Sequence, residues 1–246
     1  MSDSKIVLSG HGIGVVRGGK LLLRDVDVSL HAGEVLGVLG PSGAGKSTLF
    51  RALVGEIRPD SGRVLLFGDD VTHAPLWVRA RAGVAYVPQT PSALLDLSVR
   101  ENLETFQRVA LGEVRDVEAA AKRVDLGEKL AVRAGNLSAG ERRRLEIARA
   151  ITRPPKALVC DEPFAGVDPR GASHLGDLLR ALAKDDDVAV VLADHHVAEA
   201  LRVCDTASLI LDGAIAVTAD PGAFRAHELV RGRYLGSLDS VLNQTP

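Results

Sequence analysis

Residues 40–48 carry the most specific chemical pattern in this sequence. They read Gly-Pro-Ser-Gly-Ala-Gly-Lys-Ser-Thr and match G-x-x-x-x-G-K-[ST], between the apolar run Val35–Leu39 and the helical stretch Leu49–Val54. Gly43 and Gly45 let backbone N–H groups turn toward phosphate oxygens, and the N-terminus of the following helix favours negative charge. The order of strand, loop and helix therefore predicts a loop that binds a nucleoside triphosphate.

The same loop predicts the chemistry that follows binding. Lys46 should reach the β- and γ-phosphates, and the Ser47 hydroxyl should coordinate a Mg²⁺ ion that bridges them. The alternative, a glycine-rich turn with a chance lysine, does not explain why all motif positions and both flanking elements agree. The residues expected to contact the nucleotide are Gly40, Pro41, Ser42, Gly43, Ala44, Gly45, Lys46, Ser47 and Thr48.

Two carboxylates follow another apolar run, Ala157–Cys160. Asp161 and Glu162 come at the end of this predicted strand, where open parallel sheets expose their ligand sites. Asp161 is the candidate Mg²⁺ ligand, and Glu162 is the candidate catalytic base that orients or deprotonates the attacking water. An acidic turn at a strand end is the structural alternative.

A histidine occupies the equivalent place after another predicted strand. His195 follows Val188–Ala193 and Asp194, which puts it within reach of the same phosphates. It is expected to sense or stabilise the γ-phosphate. A structural histidine is the alternative, and the neighbouring His196 complicates the choice between the two rings.

Apolar runs alternate with amphipathic stretches along the chain, which predicts an α/β fold. The predicted strands are Val26–Leu30, Glu34–Leu39, Arg63–Phe67, Val84–Val87, Ala157–Cys160, Val188–Ala193 and Ala207–Leu211. The predicted helices are Lys46–Val54, Val99–Ala110, Val117–Val124, Gly140–Ile151, Arg170–Ala183 and Val197–Val203. Residues 98–152 contain no convincing strand and predict an inserted helical subdomain, in which Arg142–Arg144 is interpreted as a solvated helix face.

Composition limits the classes of function. The 246 residues are 46% hydrophobic, and 30 basic against 32 acidic residues give a net charge of −2, which argues against general nucleic-acid binding. Cys160 and Cys204 are expected to be reduced core thiols. No apolar run reaches the roughly 18 residues of a membrane span, and Met1–Gly10 lacks a secretory-signal pattern. Any membrane association is therefore expected to run through another subunit.

Residues 137–141, Leu-Ser-Ala-Gly-Glu, open a second helix whose N-terminus is suited to an anion. This run resembles the signature motif of ABC transporter ATPases. The loop at 40–48, the pair Asp161 and Glu162, and three single residues complete that family's ordered motif set over nearly the whole chain. Those single residues are Gln89, Asp168 and His195.

The resemblance implies a fold and an activity. The fold is a P-loop NTPase core of the ABC ATPase kind, with an antiparallel β subdomain and an inserted α-helical subdomain. The activity is hydrolysis of ATP with Mg²⁺, coupled to transport across a membrane. The implied domains are residues 1–88 for the core with its β subdomain, 89–152 for the helical subdomain, 153–232 for the rest of the core, and 233–246 for a tail.

The resemblance also implies partners. Two such subunits, as a homodimer or with a homologous ATPase, would enclose two ATP molecules, with Ser138 and Gly140 of one contacting the γ-phosphate held by the other. Gln89 would join the metal ligands and the catalytic set and link the core to the helical subdomain, and Asp168 would touch the opposite subunit. Integral membrane permease subunits would carry the cargo, and the chain would be peripheral on the cytoplasmic face of the inner membrane, with no nucleic-acid partner.

Two positions depart from the family pattern. Ala139 stands where the signature usually has glycine, and it is tolerated unless φ there is positive. Val16 and Arg17 stand where an aromatic residue usually stacks on adenine. The family comparison favours Arg17, whose guanidinium plane would stack on the base with weak selectivity, and a solvent-exposed arginine is the alternative.

Three further runs resemble the ATPases of lipopolysaccharide export systems more closely than the generic motifs require: residues 75–83, 141–150 and 162–169. Branched-chain amino-acid importer ATPases share part of this pattern. By position, Pro91 to Leu97 would line a groove for a coupling helix of the membrane subunit, with Leu94 and Leu95 as apolar contacts. Packing within the subdomain's own core is the alternative for these two leucines.

Other classes of ATPase fit the sequence less well. Soluble ABC proteins acting on DNA or ribosomes usually carry two cassettes or a long coiled-coil insertion, whereas only 47 residues separate Gln89 from Leu137. A P-loop kinase or GTPase would leave the signature run unexplained. Import or export, and the identity of the cargo, stay open on the sequence alone.

Overall fold

The computed structural model describes residues 5–236, which form two sheets and their covering helices. The first sheet is antiparallel, with the strand order β2-β1-β4-β5. Its strands are β1 Ile6–Arg17, β2 Lys20–His31, β4 Ser61–Leu66 and β5 Asp69–Asp70. This is the antiparallel β subdomain that the resemblance implied.

The second sheet has six strands in the order β10-β9-β3-β8-β7-β6. All neighbouring pairs are parallel except β9 with the edge strand β10. Its strands are β3 Val35–Leu39, β6 Val84–Val87, β7 Ala157–Asp161, β8 Ala189–Ala193, β9 Thr206–Leu211 and β10 Ala214–Ala219. The carboxyl ends of β3, β7 and β8 meet along one edge, which is where open parallel sheets bind ligands.

The described residues form nine α-helices, numbered here in chain order. They are α1 Lys46–Val54, α2 Leu76–Arg81, α3 Val99–Leu111, α4 Val117–Arg123, α5 Ala139–Ala150, α6 Pro169–Asp186, α7 Val197–Val203, α8 Pro221–Ala226 and α9 Glu228–Val230. Short 3₁₀ turns occupy Gly127–Lys129 and Ala134–Asn136, and a π-helical turn occupies Arg231–Leu235. No helix of this part of the chain is long and apolar enough to cross a membrane.

The parallel sheet is covered on both faces, so its strands are apolar at nearly every position. Alternate residues of β3 enter different core clusters. Val35 and Leu39 pack with α5, α6 and α7, and Leu36 and Val38 pack with α1 and the antiparallel sheet. The phosphate-loop helix and the other helices are thereby fixed on opposite faces of one sheet.

All seven predicted strands and all six predicted helices are present, with ends that differ by up to six residues, the largest difference being at the start of β2. Helices Lys46–Val54 and Val197–Val203 agree at both ends. Strand β1 was missed because Gly10, Gly12 and Gly14 interrupt its apolar pattern, and its register with β2 and β4 shifts at this stretch. The part of the predicted tail beyond residue 236 lies outside the described residues.

The expectation of a strand-free helical insertion is confirmed. The described residues of 98–152 hold helices, two 3₁₀ turns and one isolated bridge between Ser98 and Arg133. Their own apolar cluster includes Leu103, Val117 and Leu145. Capping boxes start two of the helices, at Ser98 with Glu101 and at Ser138 with Glu141.

Leu103 and Val109 lie on the same helix, α3. Substituting each by alanine distinguishes the contribution of core packing to stability from that of helix propensity. Leu103 is 0% exposed and Val109 is 82% exposed. Leu103→Ala should lower the free energy of unfolding by about 2–5 kcal/mol, because a buried leucine leaves a cavity when truncated. Val109→Ala should change it by less than about 0.5 kcal/mol, as surface changes usually do. Urea denaturation checks both values, and equal losses would contradict this assignment of the subdomain core.

Candidate active site

The loop between β3 and α1 has the geometry of an anion site. Gly43 and Gly45 have φ values of 77° and 111°, which side chains rarely allow, and a Cβ on Gly45 would lie 2.9 Å from the Leu22 carbonyl oxygen. Gly45 is the N-cap of α1 and provides no side-chain acceptor for the first-turn N–H groups. These donors and the helix dipole are therefore available to a phosphate.

Lys46 is the buried cation of this loop. Its Nζ donates hydrogen bonds to the carbonyl oxygens of Gly40 at 2.7 Å and Pro41 at 2.9 Å. Burial lowers the pKa of the Lys46 ammonium, and the nearby carboxylates of Glu162, Asp161 and Asp194 oppose that shift. Neutral carbonyl oxygens thus hold the ammonium over the loop. Phosphate oxygens of a bound nucleotide would take their place, because a charged oxygen is a stronger hydrogen-bond acceptor.

Asp161 ends β7 beside the loop and has an unpaired oxygen. The Ser47 hydroxyl donates to the Asp161 carboxylate, whose pKa burial raises. Its Oδ1 is buried and has no hydrogen-bond partner among the described residues. A carboxylate oxygen and a hydroxyl oxygen are ligands that Mg²⁺ prefers, so the predicted pair of Ser47 and Asp161 fits this ion.

Glu162 is held from both sides by polar side chains. Gln89 Nε2 donates to its Oε2 at 2.8 Å, and His195 Nε2 lies 2.6 Å from its Oε1. The Glu162 N–H donates to the Ala193 carbonyl at 2.7 Å, and its φ is 50°. Non-glycine residues adopt this φ at a cost, and such strain is typical of functional positions that the surroundings fix firmly.

Asp194 stabilises the turn that carries His195 by hydrogen bonds. It is fully buried, and its Oδ2 accepts the Phe164 N–H at 2.7 Å. Its Oδ1 lies 2.8 Å from both the main-chain nitrogen and Nδ1 of His196. His196 is therefore tied to Asp194, whereas His195 faces Glu162, which distinguishes the two neighbouring rings.

Most of the predicted site residues share one cleft of 410 Å³. Its lining residues are Lys20, Leu22, Ser42, Gly43, Gly45, Lys46, Ser47, Thr48, Gln89, Glu162 and His195. Arg17 lies outside this lining, where its guanidinium donates to Asp60 at 3.0 Å and to the Arg58 carbonyl at 3.0 Å. Its stacking on a base would require that pair to open, and this role stays a prediction.

The signature residues also lie outside the cleft. Ser138 is exposed and forms the N-cap of α5, and Gly140 is buried where a Cβ would lie 3.1 Å from the Val167 side chain. Ala139 is not among the described residues with positive φ, so its methyl group imposes no backbone strain. The expected contact of Ser138 and Gly140 with a nucleotide on another subunit stays a prediction.

Arg143 is a site residue that the sequence interpretation missed. The expectation that Arg142–Arg144 is a solvated face is wrong for Arg143, which is buried. Its Nη2 donates to the carbonyls of Asp161 at 2.6 Å and Glu162 at 3.1 Å, and its Nη1 donates to the Pro88 carbonyl at 2.7 Å. The guanidinium thus fixes the main chain that carries both the predicted metal ligand Asp161 and the predicted catalytic base Glu162.

Glu146 pairs with Arg143 and completes this buried cluster. Their side chains are 2.9 Å apart, and Glu146 Oε1 accepts the N–H groups of Ser92 at 2.5 Å and Ala93 at 3.0 Å. The pair therefore holds the chain on both sides of Gln89. The apolar neighbours of Glu146 along α5 are the signal that marks this face as buried.

Arg143→Met should lower the free energy of unfolding by about 3–5 kcal/mol, because it leaves the buried Glu146 carboxylate unpaired. Arg143→Met combined with Glu146→Met should lose much less than the sum of the single changes, since neither member of the pair is then left facing an apolar side chain as an unpaired charge. Urea denaturation of the three variants checks this. Additive losses would contradict a coupled pair.

Known proteins resemble this chain over most of its length. The ABC transporter family model matches residues 23–165. The chain is 38% identical over 221 residues to the lipopolysaccharide export system ATP-binding protein LptB of Acidithiobacillus ferridurans, covering 88% of this chain and 91% of that protein. It is 37% identical over 228 residues to LptB of Escherichia coli strain K12, covering 89% and 92%. A probable anion import ATP-binding protein of Haloferax volcanii is 37% identical over 258 residues, covering 94% and 88%.

Solved structures agree with the sequence relatives. The ADP conformation of MJ1267, an ATP-binding cassette of an ABC transporter, superimposes with a TM-score of 0.85 at 26% identity, covering 94% of this chain and 99% of that one. The cbiO1 subunit of a transporter complex from Clostridium perfringens gives 0.81 at 25% identity, covering 97% and 99%. The chain therefore belongs to the ABC transporter family, as one of its nucleotide-binding, ATP-hydrolysing subunits.

Proposed function

We propose that this chain hydrolyses Mg-ATP at a site shared between two subunits and drives export of lipopolysaccharide or another lipid by membrane-spanning partners. The observation that carries the proposal is the Glu162 carboxylate, held between Gln89 and His195 in the cleft that contains Lys46. The lipopolysaccharide assignment is supported by the relatives of that name, which match nearly their whole length.

The residues in and beside the cleft divide the steps of this mechanism among them. The loop N–H groups and Lys46 would bind the β- and γ-phosphates of ATP. Ser47, Asp161 and Gln89 would hold Mg²⁺, which neutralises charge that develops on the phosphates. Glu162 would accept the proton of the attacking water, and His195 would keep that carboxylate oriented and contact the γ-phosphate.

The second subunit would complete the site. Ser138 is exposed at the N-terminus of the twelve-residue helix α5, whose dipole favours the negative γ-phosphate of a facing subunit. Asp168, the N-cap of α6, is also exposed and would contact the same partner. The Gly140 backbone would approach the γ-phosphate held by the facing subunit closely, because glycine has no side chain.

A groove of 460 Å³ between α2 and α3 is the proposed docking site for the permease. Apolar side chains from both helices line it, and we refer to it as the α2–α3 groove. These side chains include Leu76 and Ala80 of α2 and Phe106 and Val109 of α3, and Tyr86 of β6 lines the groove as well.

Only part of the expected groove segment lines this cavity. Of Pro91 to Leu97, Ser92 alone is in its lining. Leu94 and Leu95 are exposed on a separate shallow depression, so they do not pack into the subdomain core. Through the α2–α3 groove the chain would be peripheral to the membrane on its cytoplasmic face.

An importer is the second candidate, because one relative at 37% identity is a probable anion import protein. The two functions differ in the accompanying subunits. Purification of the chain from its source membranes should yield an integral permease whose lipid load stimulates ATP hydrolysis. Stimulation by a soluble solute-binding protein instead would favour import.

Glu162→Gln should bind ATP normally and hydrolyse it at least about a hundredfold more slowly, because loss of a general base costs about 10²–10⁴ in rate. Phosphate release and nucleotide titration measure the two properties. Glu113→Gln, at an exposed glutamate on the loop after α3, is the matched control and should hydrolyse at the normal rate. Near-normal turnover of Glu162→Gln would remove this residue from the mechanism.

The shared site predicts complementation between two inactive variants. Lys46→Ala removes the phosphate ligand, and Ser138→Arg blocks the signature helix, so each variant alone should be nearly inactive. A mixed dimer contains one site with both elements intact, so mixing the proteins should restore hydrolysis. If the mixture stays as inactive as its components, each site is built within a single chain.

A further inference from the structure

Arg79 is a buried cation that the catalytic mechanism leaves without a role. It lies on α2 and is 1% exposed, the largest fully buried side chain in the described part of the protein. Within the described residues, the Arg79 guanidinium donates its hydrogen bonds to four main-chain carbonyls and to no carboxylate. Burial lowers the pKa of its guanidinium to about 10, so it is still charged at neutral pH. A buried charge of this kind is expensive to keep and calls for a reason.

Two of the four carbonyls belong to the phosphate-loop helix. Arg79 Nη1 donates to Ala52 at 2.8 Å and Leu53 at 2.6 Å, in the last turn of α1. A helix leaves its last carbonyls without partners inside the helix, and a cation there also complements its dipole. Gly55 already caps this end in the usual way, with a φ of 81° and its N–H directed to Ala52 and Arg51. Arg79 therefore adds a link to α1 beyond its cap.

The other two bonds hold the segment that leads into α2. Arg79 Nε donates to the Ala74 carbonyl at 2.9 Å, and Nη2 donates to the Thr72 carbonyl at 3.0 Å. The Leu76 N–H, at the start of α2, donates to the Gly55 carbonyl at 3.0 Å. One guanidinium thus joins the end of α1 to both the approach and the body of α2.

Helix α2 also forms a wall of the α2–α3 groove. Leu76, Ala80 and Arg81 line that groove, and Val54 lines it from the end of α1. At the other end of α1 stand Lys46 and Ser47 of the nucleotide cleft. A nine-residue helix is a rigid rod of about 13 Å, so a shift imposed at one end is felt at the other.

We propose that Arg79 is a positioning residue that couples the nucleotide cleft to the α2–α3 groove, by clamping the C-terminus of α1 to α2. A partner seated in the groove then adjusts the phosphate loop through this clamp, in addition to any route through Gln89. By linkage, nucleotide binding must change the affinity of the groove for its partner by the same factor as the partner changes the affinity for nucleotide. The inference rests on the proposed function, since it takes the groove as the partner site.

Trp77 reports on this coupling without any partner present. It is the single tryptophan of the chain, lies on α2 two residues from Arg79, and is 59% exposed with the Arg81 guanidinium 5.2 Å from its ring centre. Mg-ATP should change the Trp77 emission of the wild-type protein. Arg79→Lys keeps the charge but not the planar four-bond fork, and should lose this change while calorimetry still detects ATP binding.

These measurements distinguish failure of the proposed coupling from failure of the proposed function. Arg225→Lys, at an exposed arginine of α8, is the matched control and should respond like the wild type. Absence of ATP binding to the wild type would overturn the proposed function itself. Bound ATP with an unchanged Trp77 signal, or an Arg79→Lys response equal to the wild type, would overturn the coupling alone.

Hydrogen exchange on the unmodified protein gives a second test if Arg79→Lys does not fold. Mg-ATP should slow exchange of the amides at residues 76–83, because α2 is held to a helix that the nucleotide stabilises. Unchanged exchange there, with slowed exchange at residues 43–50, would show that binding stops at α1 and would overturn the proposal.

Discussion

The position of one carboxylate, Glu162, constrains most of this structure. A catalytic base must lie within hydrogen-bond reach of the attacking water and must be fixed in that place before the reaction. Here the backbone of Glu162 has an unfavourable φ and is anchored to Ala193, while its side chain is held by Gln89 and His195. Strands β6, β7 and β8 must therefore be adjacent, as the parallel sheet arranges them.

The helical subdomain contributes to this constraint through a buried guanidinium. Arg143 on α5 donates to the carbonyls of Asp161 and Glu162, and its partner Glu146 binds the chain after Gln89. Movement of α5 cannot leave the Asp161 and Glu162 carboxylates unaffected, because these bonds are short and shielded from water. Arg79 makes a second buried link, between α1 and α2, so the α2 wall of the α2–α3 groove is joined to the phosphate-loop helix by a buried arginine.

Sequence patterns predicted the features that local chemistry specifies. The phosphate loop, the strand ending in Asp161 and both ends of α1 follow from residue types within a few positions of one another. The partners of Glu162 and the roles of Arg79 and Arg143 depend on contacts between residues 18 to 73 positions apart, or on which face of a helix is buried. The basic triplet 142–144 has the same composition whether all three arginines are solvated or one of them is buried, so composition does not predict the burial of Arg143. Strand β1 escaped detection because its glycines conceal the alternation that a strand normally shows.

In the proposed mechanism, two copies of this chain close around nucleotide, and each completes the other's site. The direct measurement is the mass of the Glu162→Gln protein in solution, by light scattering or sedimentation, with and without saturating Mg-ATP. We expect monomers without nucleotide, and a dimer with two bound ATP molecules when Mg-ATP is added. A protein that binds ATP and stays monomeric at high concentration would contradict this mechanism.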